Sequence, residues 1–465
     1  MTDLVCCVDF GSTFTKAALV DVGAATLLGT TSHPTTSQTD VLDGWHACRA
    51  ELSREQPGAA AAPVLACSSA GGGLRIAVIG NEELVTAEAG RRVALSSGGR
   101  VVHVLSGGLT EETLDDLRVQ QPDVVLLVGG TDGGNAEVLL HSAGVLALAH
   151  WRGPVVVAGN ADVRESLSEL LERAGTPHVA ADNVVPQIGV LRPEPARAAI
   201  RETFLRHVIG GKHLSAHTEF MEMVRGATPD VVLSAVELLS RGTGTGEAGA
   251  GDVVVVDVGG ATTDVHSVVE LPAQTGALAR EVVAPSPVTR TVEGDLGMRS
   301  SATSTLDAGR QSSLLSQREH DRWTPVVAHL HDAPAYVPQT PDEQRVDGRL
   351  AGVALELALR RHAGRAQVTY GSDGRVVEYS GKDLRGVSLL VGSGGVLRHN
   401  GAAFAHEVLA GACERAQSAG WLLPHAPAVT VDADYVLAPA GLLAEEHPDA
   451  AAALMRHLHT EESQL

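Results

Sequence analysis

Positive charge is the first thing this sequence is short of. Lys and Arg number 35 against 56 Asp and Glu, a formal net charge of −21. The basic footprint that nucleic-acid binding demands is therefore missing, and no nucleic-acid partner is expected. Long apolar runs are missing too. Stretches such as 124–128 (VVLLV) fall far short of the roughly 18 residues that cross a bilayer, so no membrane partner is expected. Cysteine is scarce and odd in number (Cys6, Cys7, Cys48, Cys67, Cys413), without metal-ligand spacing. Cys6-Cys7 sits in an apolar run and reads as buried thiol, and the expected setting is reducing and cytoplasmic. The start, Met1-Thr2-Asp3-Leu4, has no basic region, and no cleavable leader is expected. Rarest of all is lysine: only Lys16, Lys212 and Lys382 among the 35 basic residues. In so Ala- and Gly-rich a chain this reads as codon bias, against which a retained lysine stands out.

What is present is a folding composition. The 465 residues are 44% hydrophobic and 20% charged, outside the disordered range and long enough for two or three domains. Apolar strand-like runs alternate with helical spacing through the first half: 63–69, 123–128 and 154–158 as strands, 136–149 and 163–174 as helices. That alternation predicts an α/β fold with a largely parallel sheet. Residues 241–251 (RGTGTGEAGAG) read as a linker. Residues 300–349 are the most polar stretch and the least structured in appearance, while 350–361 read as a strong helix. A hairpin is expected over 366–379 about Gly371-Ser372-Asp373-Gly374.

The strongest signal is an internal echo. Asp9-Phe10-Gly11-Ser12-Thr13-Phe14-Thr15-Lys16 aligns with Asp257-Val258-Gly259-Gly260-Ala261-Thr262-Thr263-Asp264, 248 residues further on. Each copy follows an apolar strand, places a carboxylate at its end, turns on small residues and enters another strand. Such turns expose successive N–H groups that converge on phosphate oxygens. A carboxylate beside phosphate finds its natural partner in Mg²⁺, usually through water. One copy alone is an ordinary hairpin; two in the same frame suggest a clamp gripping a polyphosphate from both sides. There is no Walker A loop. Two further strands end in glycine: 387–391 before Gly392-Ser393-Gly394-Gly395, and 123–128 before Gly129-Gly130-Thr131-Asp132-Gly133-Gly134. Either could let a ligand approach the backbone. Glu293-Gly294-Asp295, alone, reads as a solvated turn.

Taken together these motifs resemble the actin, Hsp70 and sugar-kinase ATPase superfamily. The stretch from Asp9 to Lys16 resembles its first phosphate motif, residues 252–269 its second, Glu293-Gly294-Asp295 the acidic segment that follows, 391–395 its adenosine motif, and Ala438-Pro439-Ala440-Gly441 its second connecting helix. Within the superfamily, residues 66–75, 128–135, 183–191, 194–197 and 293–299 resemble the GlmL/MutL family, proteins associated with adenosylcobalamin-dependent glutamate mutase. The resemblance implies a two-lobed actin-like, ribonuclease H-like α/β fold. Lobe I would hold 1–245 with an inserted α/β subdomain at about 60–210, lobe II 250–437, and a C-terminal helix over 438–465 would return to lobe I. It also implies ATP and Mg²⁺. Asp9 and Asp257 would hold the metal and orient water, and Lys16 would neutralise phosphate. Gly11, Ser12, Thr13, Gly259, Gly260 and Ala261 would bind phosphate through backbone N–H, with Thr262 and Thr263 adding hydroxyls. Glu293 and Asp295 would stand by the nucleotide, and Gly392, Ser393, Gly394 and Gly395 would seat the nucleoside. The implied role is an ATP-dependent reactivating chaperone for a mutase client. The alternatives are a small-molecule kinase on the same fold and a nucleotide-binding scaffold. The oligomeric state is left open.

Overall fold

A computed structural model of the protein describes residues 3–70, 73–212, 214–244, 246–270, 286–371 and 374–460. Gly71-Gly72 of the 66–75 motif, Ser372-Asp373 of the expected hairpin turn and residues 461–465 of the expected C-terminal helix lie outside them.

Two five-stranded sheets are built on the same plan. In the first, Leu4–Phe10 pairs antiparallel with Phe14–Asp21, which pairs antiparallel with Thr26–Pro34. On its other side Leu4–Phe10 runs parallel to Val64–Ser68, and that strand runs parallel to Val224–Ala227. In the second, Val253–Val258 pairs antiparallel with Thr263–Val268 and that with Val288–Glu293. On the far side Val253–Val258 runs parallel to Leu389–Ser393 and that to Ala428–Val431. The central strands are covered on both faces, so they read as unbroken β-branched runs rather than alternating ones; the VVVV of Val253–Val256 is fully buried.

A third sheet is inserted between the fourth and fifth strands of the first. Its five strands are all parallel, in the order Gly99–Leu105, Leu74–Ile79, Val124–Leu127, Val155–Val157, His178–Ala180. This is the alternating strand–helix region of the sequence. Thr110 caps the helix Glu111–Val119 by accepting from the Thr113 N–H, and Thr113 returns the bond.

Two cores fill the two halves, and another joins them. It draws Val5, Cys7 and Leu65 from the first sheet, Val253, Val255 and Val391 from the second, and Val236, Leu239, Ala440 and Met455 from helices between them. Helix Thr228–Arg241 crosses helix Leu437–Leu443 at Gly441, where an added Cβ would stand 2.1 Å from the Val231 carbonyl oxygen.

Two expectations need correcting. Residues 300–349 are not irregular: they form Ala302–Gln311, Gln317–Asp332 and the start of Pro341–His362. Ser316 with Glu319 and Thr340 with Glu343 make reciprocal capping boxes, and buried Leu306, Leu315, Val327 and Leu330 anchor the polar helices. Residues 241–251 connect helix Thr228–Arg241 to strand Val253–Val258, with Gly242 bridging Ala248 and Glu247 pairing with Arg456. The expected single C-terminal helix is two, Leu437–Leu443 and Pro448–Met455. Among the described residues no helix is long and apolar enough to cross a membrane, and all five cysteines are buried thiols.

Candidate functional site

The two echoing segments fold into the same turn. Gly11 N–H donates to the Phe14 carbonyl at 3.1 Å, and Gly259 N–H to the Thr262 carbonyl at 2.9 Å. A Cβ on either glycine would fall within 3 Å of that same carbonyl oxygen, so both turns close only on glycine. The strand registers match as well: Asp9 faces Lys16 and Asp257 faces Asp264. The turns point at one another, with Thr13 Oγ1 only 3.1 Å from where a Gly260 Cβ would be. Between them opens a cleft of about 800 Å³ lined by both turns, by Gly394 and Gly395, and by residues of the inserted sheet.

Asp9 is buried at 4% exposure and tightly held. Its Oδ1 accepts from Thr228 Oγ1 at 2.6 Å and its Oδ2 from the Tyr435 hydroxyl at 2.5 Å. Lys16 Nζ stands 3.8 Å from Oδ2 and 4.3 Å above the Tyr435 ring, and Arg398 lies 5.2 Å from the same ring. Burial and the Asp9 carboxylate push the Tyr435 phenol well above its usual range, so it donates throughout. Asp257 accepts from Ser393 and is short of positive charge. Burial first, then the neighbouring Asp264 and Asp9, push its carboxyl up to about 6 against the pull of Lys16. A cation entering beside it would be favoured.

The structure brings Asp9, Gly11, Ser12, Thr13, Lys16, Asp257, Gly259, Gly260, Ala261, Thr262, Gly394 and Gly395 to this one cleft. It places others elsewhere. Thr263 points inward, fully buried with its hydroxyl unpartnered, because side chains alternate along a strand and Thr262 and Asp264 take the cleft side. Gly392 is covered by Leu409 and Leu397, and Ser393 is buried behind Asp257. Glu293 and Asp295 bind Arg361 at 2.6 Å each and face a separate groove; only Gly294 between them reaches the cleft. Of the two glycine-rich strand ends, 394–395 lies in the cleft. Residues 129–134 close on themselves at the end of the inserted sheet, where Asn183 donates to the Gly130 carbonyl and Asp132. Gly394, at φ 103°, abuts the Val258 backbone so closely that no Cβ fits.

Sequence reasoning missed Thr228, Tyr435, Arg398, Asp264 and Arg290. Asp264 was visible as the counterpart of Lys16, but its partner was not. Arg290, 4% exposed, donates from Nε to Asp264 Oδ1 at 3.0 Å and from Nη1 to the Leu95 and Gly99 carbonyls of the inserted region. The other Asp264 oxygen accepts from Thr262 Oγ1 at 2.9 Å. Nothing in the local sequence around Tyr435 or Thr228 announces that they meet Asp9, 426 and 219 residues away.

Two sheets of one plan, each contributing a glycine-closed turn and a carboxylate to a shared cleft, define a two-lobed actin-like architecture. Comparison with known proteins carries this to a family. The family model described as MutL protein matches residues 5–458, and the chain is 38% identical to Protein MutL of Clostridium tetanomorphum over 96% of its own length and 97% of the relative's. The chain belongs to the MutL family. Among solved structures it is similar to a carbohydrate kinase from Novosphingobium aromaticivorans, at 16% identity and a TM-score of 0.32 over 96% of this chain and 92% of the kinase. It is also similar to a nucleotide-free acetone carboxylase, at 16% identity and a TM-score of 0.31, covering 64% of this chain and about half (49%) of that one. Neither likeness bears on function.

Proposed function

We propose that this protein binds Mg-ATP between its two turns and serves as an ATP-dependent accessory protein that reactivates an adenosylcobalamin-dependent mutase of the glutamate mutase type. The observation that carries the nucleotide reading is the pair of identical turns facing across the cleft, each ending a strand that presents a carboxylate. The N–H groups of Gly11 and Gly259, expected to bind phosphate, are spent on closing the turns, so the backbone N–H groups of Ser12, Thr13, Gly260 and Ala261 would hold phosphate oxygens, and the Lys16 ammonium would neutralise them as a point charge. Asp9 and Asp257 offer the two carboxylates that suit Mg²⁺, an ion that keeps several waters and takes its other ligands from phosphate. The metal would supply charge for the developing phosphate oxyanion. Tyr435 and Thr228 fix the Asp9 rotamer. The mutase part of the reading rests on the family.

A kinase on the same fold would need a further carboxylate as base beside an acceptor hydroxyl. The other two acids lining the cleft are engaged, Asp264 by Arg290 at 3.0 Å and Asp347 by Arg299 at 2.9 Å. This favours turnover without an acceptor.

The test is calorimetric titration with Mg-ATP, phosphate release without added metabolite, and recovery of a cofactor-inactivated mutase from the same host after ATP and fresh cofactor. Asp9→Asn and Asp257→Asn should each lower turnover at least a hundredfold while leaving the unfolding transition in place. Asn is the better probe at position 9, since Ala would orphan two hydroxyls. Unchanged turnover in either variant, or ADP release that requires a small-molecule acceptor, overturns the reading.

A further inference from the structure

We propose that Arg100, carried by the inserted sheet, is a nucleotide-sensing residue that reaches the terminal phosphate of ATP and so reports nucleotide state to the inserted region. The proposal rests on the ATP reading above.

Arg100 is the one charged side chain that the strands of the inserted sheet contribute to the cleft lining among the described residues. It also lines the adjoining groove, about 690 Å³ in volume, between the edge strand Gly99–Leu105 and the edge strand Val288–Glu293. It is thus the common wall of the two cavities. Its guanidinium lies beside Gly294, whose added Cβ would stand 3.1 Å from Arg100 Cζ. Gly294 is one hydroxyl away from the second turn, for Ser301 Oγ, with a single proton to donate, lies 2.6 Å from the Ala261 carbonyl and 3.0 Å from the Gly294 carbonyl. The side chain is exposed and makes no ion pair among the described residues, although its charge is felt by Asp295 across the groove. The arginines around it are committed: Arg361 to Glu293 and Asp295, Arg91 to Glu88, Arg299 to Asp347 and Arg290 to Asp264.

The backbone that carries Arg100 is fixed where it matters. Gly99, the preceding residue, gives its carbonyl to Arg290, and Arg290 holds Asp264, which holds the Thr262 hydroxyl at the turn. The strand is therefore pinned to the turn, while the guanidinium one residue on is uncommitted. An arginine so placed matches a phosphate with its planar fork, and a charge-assisted bond of this kind discriminates ATP from ADP only if it meets the terminal phosphate. Drawing the guanidinium into the cleft would also withdraw it from the groove, altering an edge-strand surface of the inserted sheet.

The experiment measures Mg-ATP and Mg-ADP affinity by calorimetry for the wild type, Arg100→Ala and Arg100→Lys. It also follows hydrogen exchange over residues 99–105 with and without Mg-ATP. Arg100→Ala should weaken ATP binding about tenfold or more and change ADP binding less than twofold, with Arg100→Lys between. ATP should protect 99–105 in the wild type and not in Arg100→Ala. An exposed position leaves folding intact, and equal ADP affinity is the internal check. If the wild type binds ATP and Arg100→Ala binds it equally well, the role of Arg100 is overturned while the nucleotide reading stands. If the wild type binds neither nucleotide, both are overturned.

Discussion

Buried imidazoles give this protein an acid sensitivity unrelated to its cleft. His362 lies in the second half, with Nδ1 2.9 Å from Thr291 Oγ1 and Nε2 2.8 Å from Ser267 Oγ and 3.0 Å from Lys382 Nζ. Burial first and then the Lys382 charge hold it well below the ordinary histidine value of 6.5. His266 nearby is held down to about 3, chiefly by burial. In the unfolded chain both take a proton near 6.5; in the folded protein they do not. Their stabilising contribution is whole above pH 6.5 and is lost as pH falls below it. Asp257 acts in the opposite sense, because its raised carboxyl lends stability that is lost as pH rises from about 4 to 6. A comparison of variants separates the two. Between pH 7 and 5, His362→Asn should lose stability with pH less steeply than the wild type. The difference should approach the one-proton slope of about 1.4 kcal/mol per pH unit, read from urea unfolding at each pH. Parallel curves would mean that His362 is protonated in the folded protein.

Among the elements, helices tell most about what sequence could show. The α/β alternation was legible because buried parallel strands are continuous apolar runs and amphipathic helices separate them. The paired turns were legible because a glycine, a carboxylate and a strand recur in one frame. The helices over 300–349 were not: they bury few large side chains, and their capping boxes at Ser316 and Thr340 are short signals in a polar stretch. Pro325 lies inside Gln317–Asp332, where a proline removes one rung and argues against a helix. Thr263 was misplaced for a simpler reason, since the turn motif does not say where strand alternation begins. The crossing of Thr228–Arg241 and Leu437–Leu443 depends on one residue. Gly441→Ala would set a Cβ against the Val231 backbone. It should cost about 1–3 kcal/mol in denaturant unfolding, whereas Gly144→Ala, where nothing lies within 4 Å, should cost nothing measurable.

For the whole molecule, the long-range partners of the cleft are what no local reading supplies. Asp9 meets Thr228 and Tyr435, and Asp264 meets Arg290, only because two sheets of one plan pack through a shared core with a third sheet inserted beside them. Arg290 ties that third sheet to the second turn. Arg290→Met leaves the Asp264 carboxylate with no counter-charge and two carbonyls without their donor, so it should cost about 3–5 kcal/mol. Arg290→Met with Asp264→Asn should recover part of that loss, and strict additivity in the unfolding free energies would deny the tie. The echo between the two halves also has an imperfection. Where one turn is followed by Lys16, the other is followed by Asp264. The backbone is doubled but the charge is not: a lysine stands after one turn, and after the other an aspartate already paired with Arg290, so the two turns differ electrostatically. If phosphates lie between them as proposed, the seat has a front and a back: a chain of phosphates would be laid into it one way round rather than the other, and direction would be set before any nucleoside is recognised.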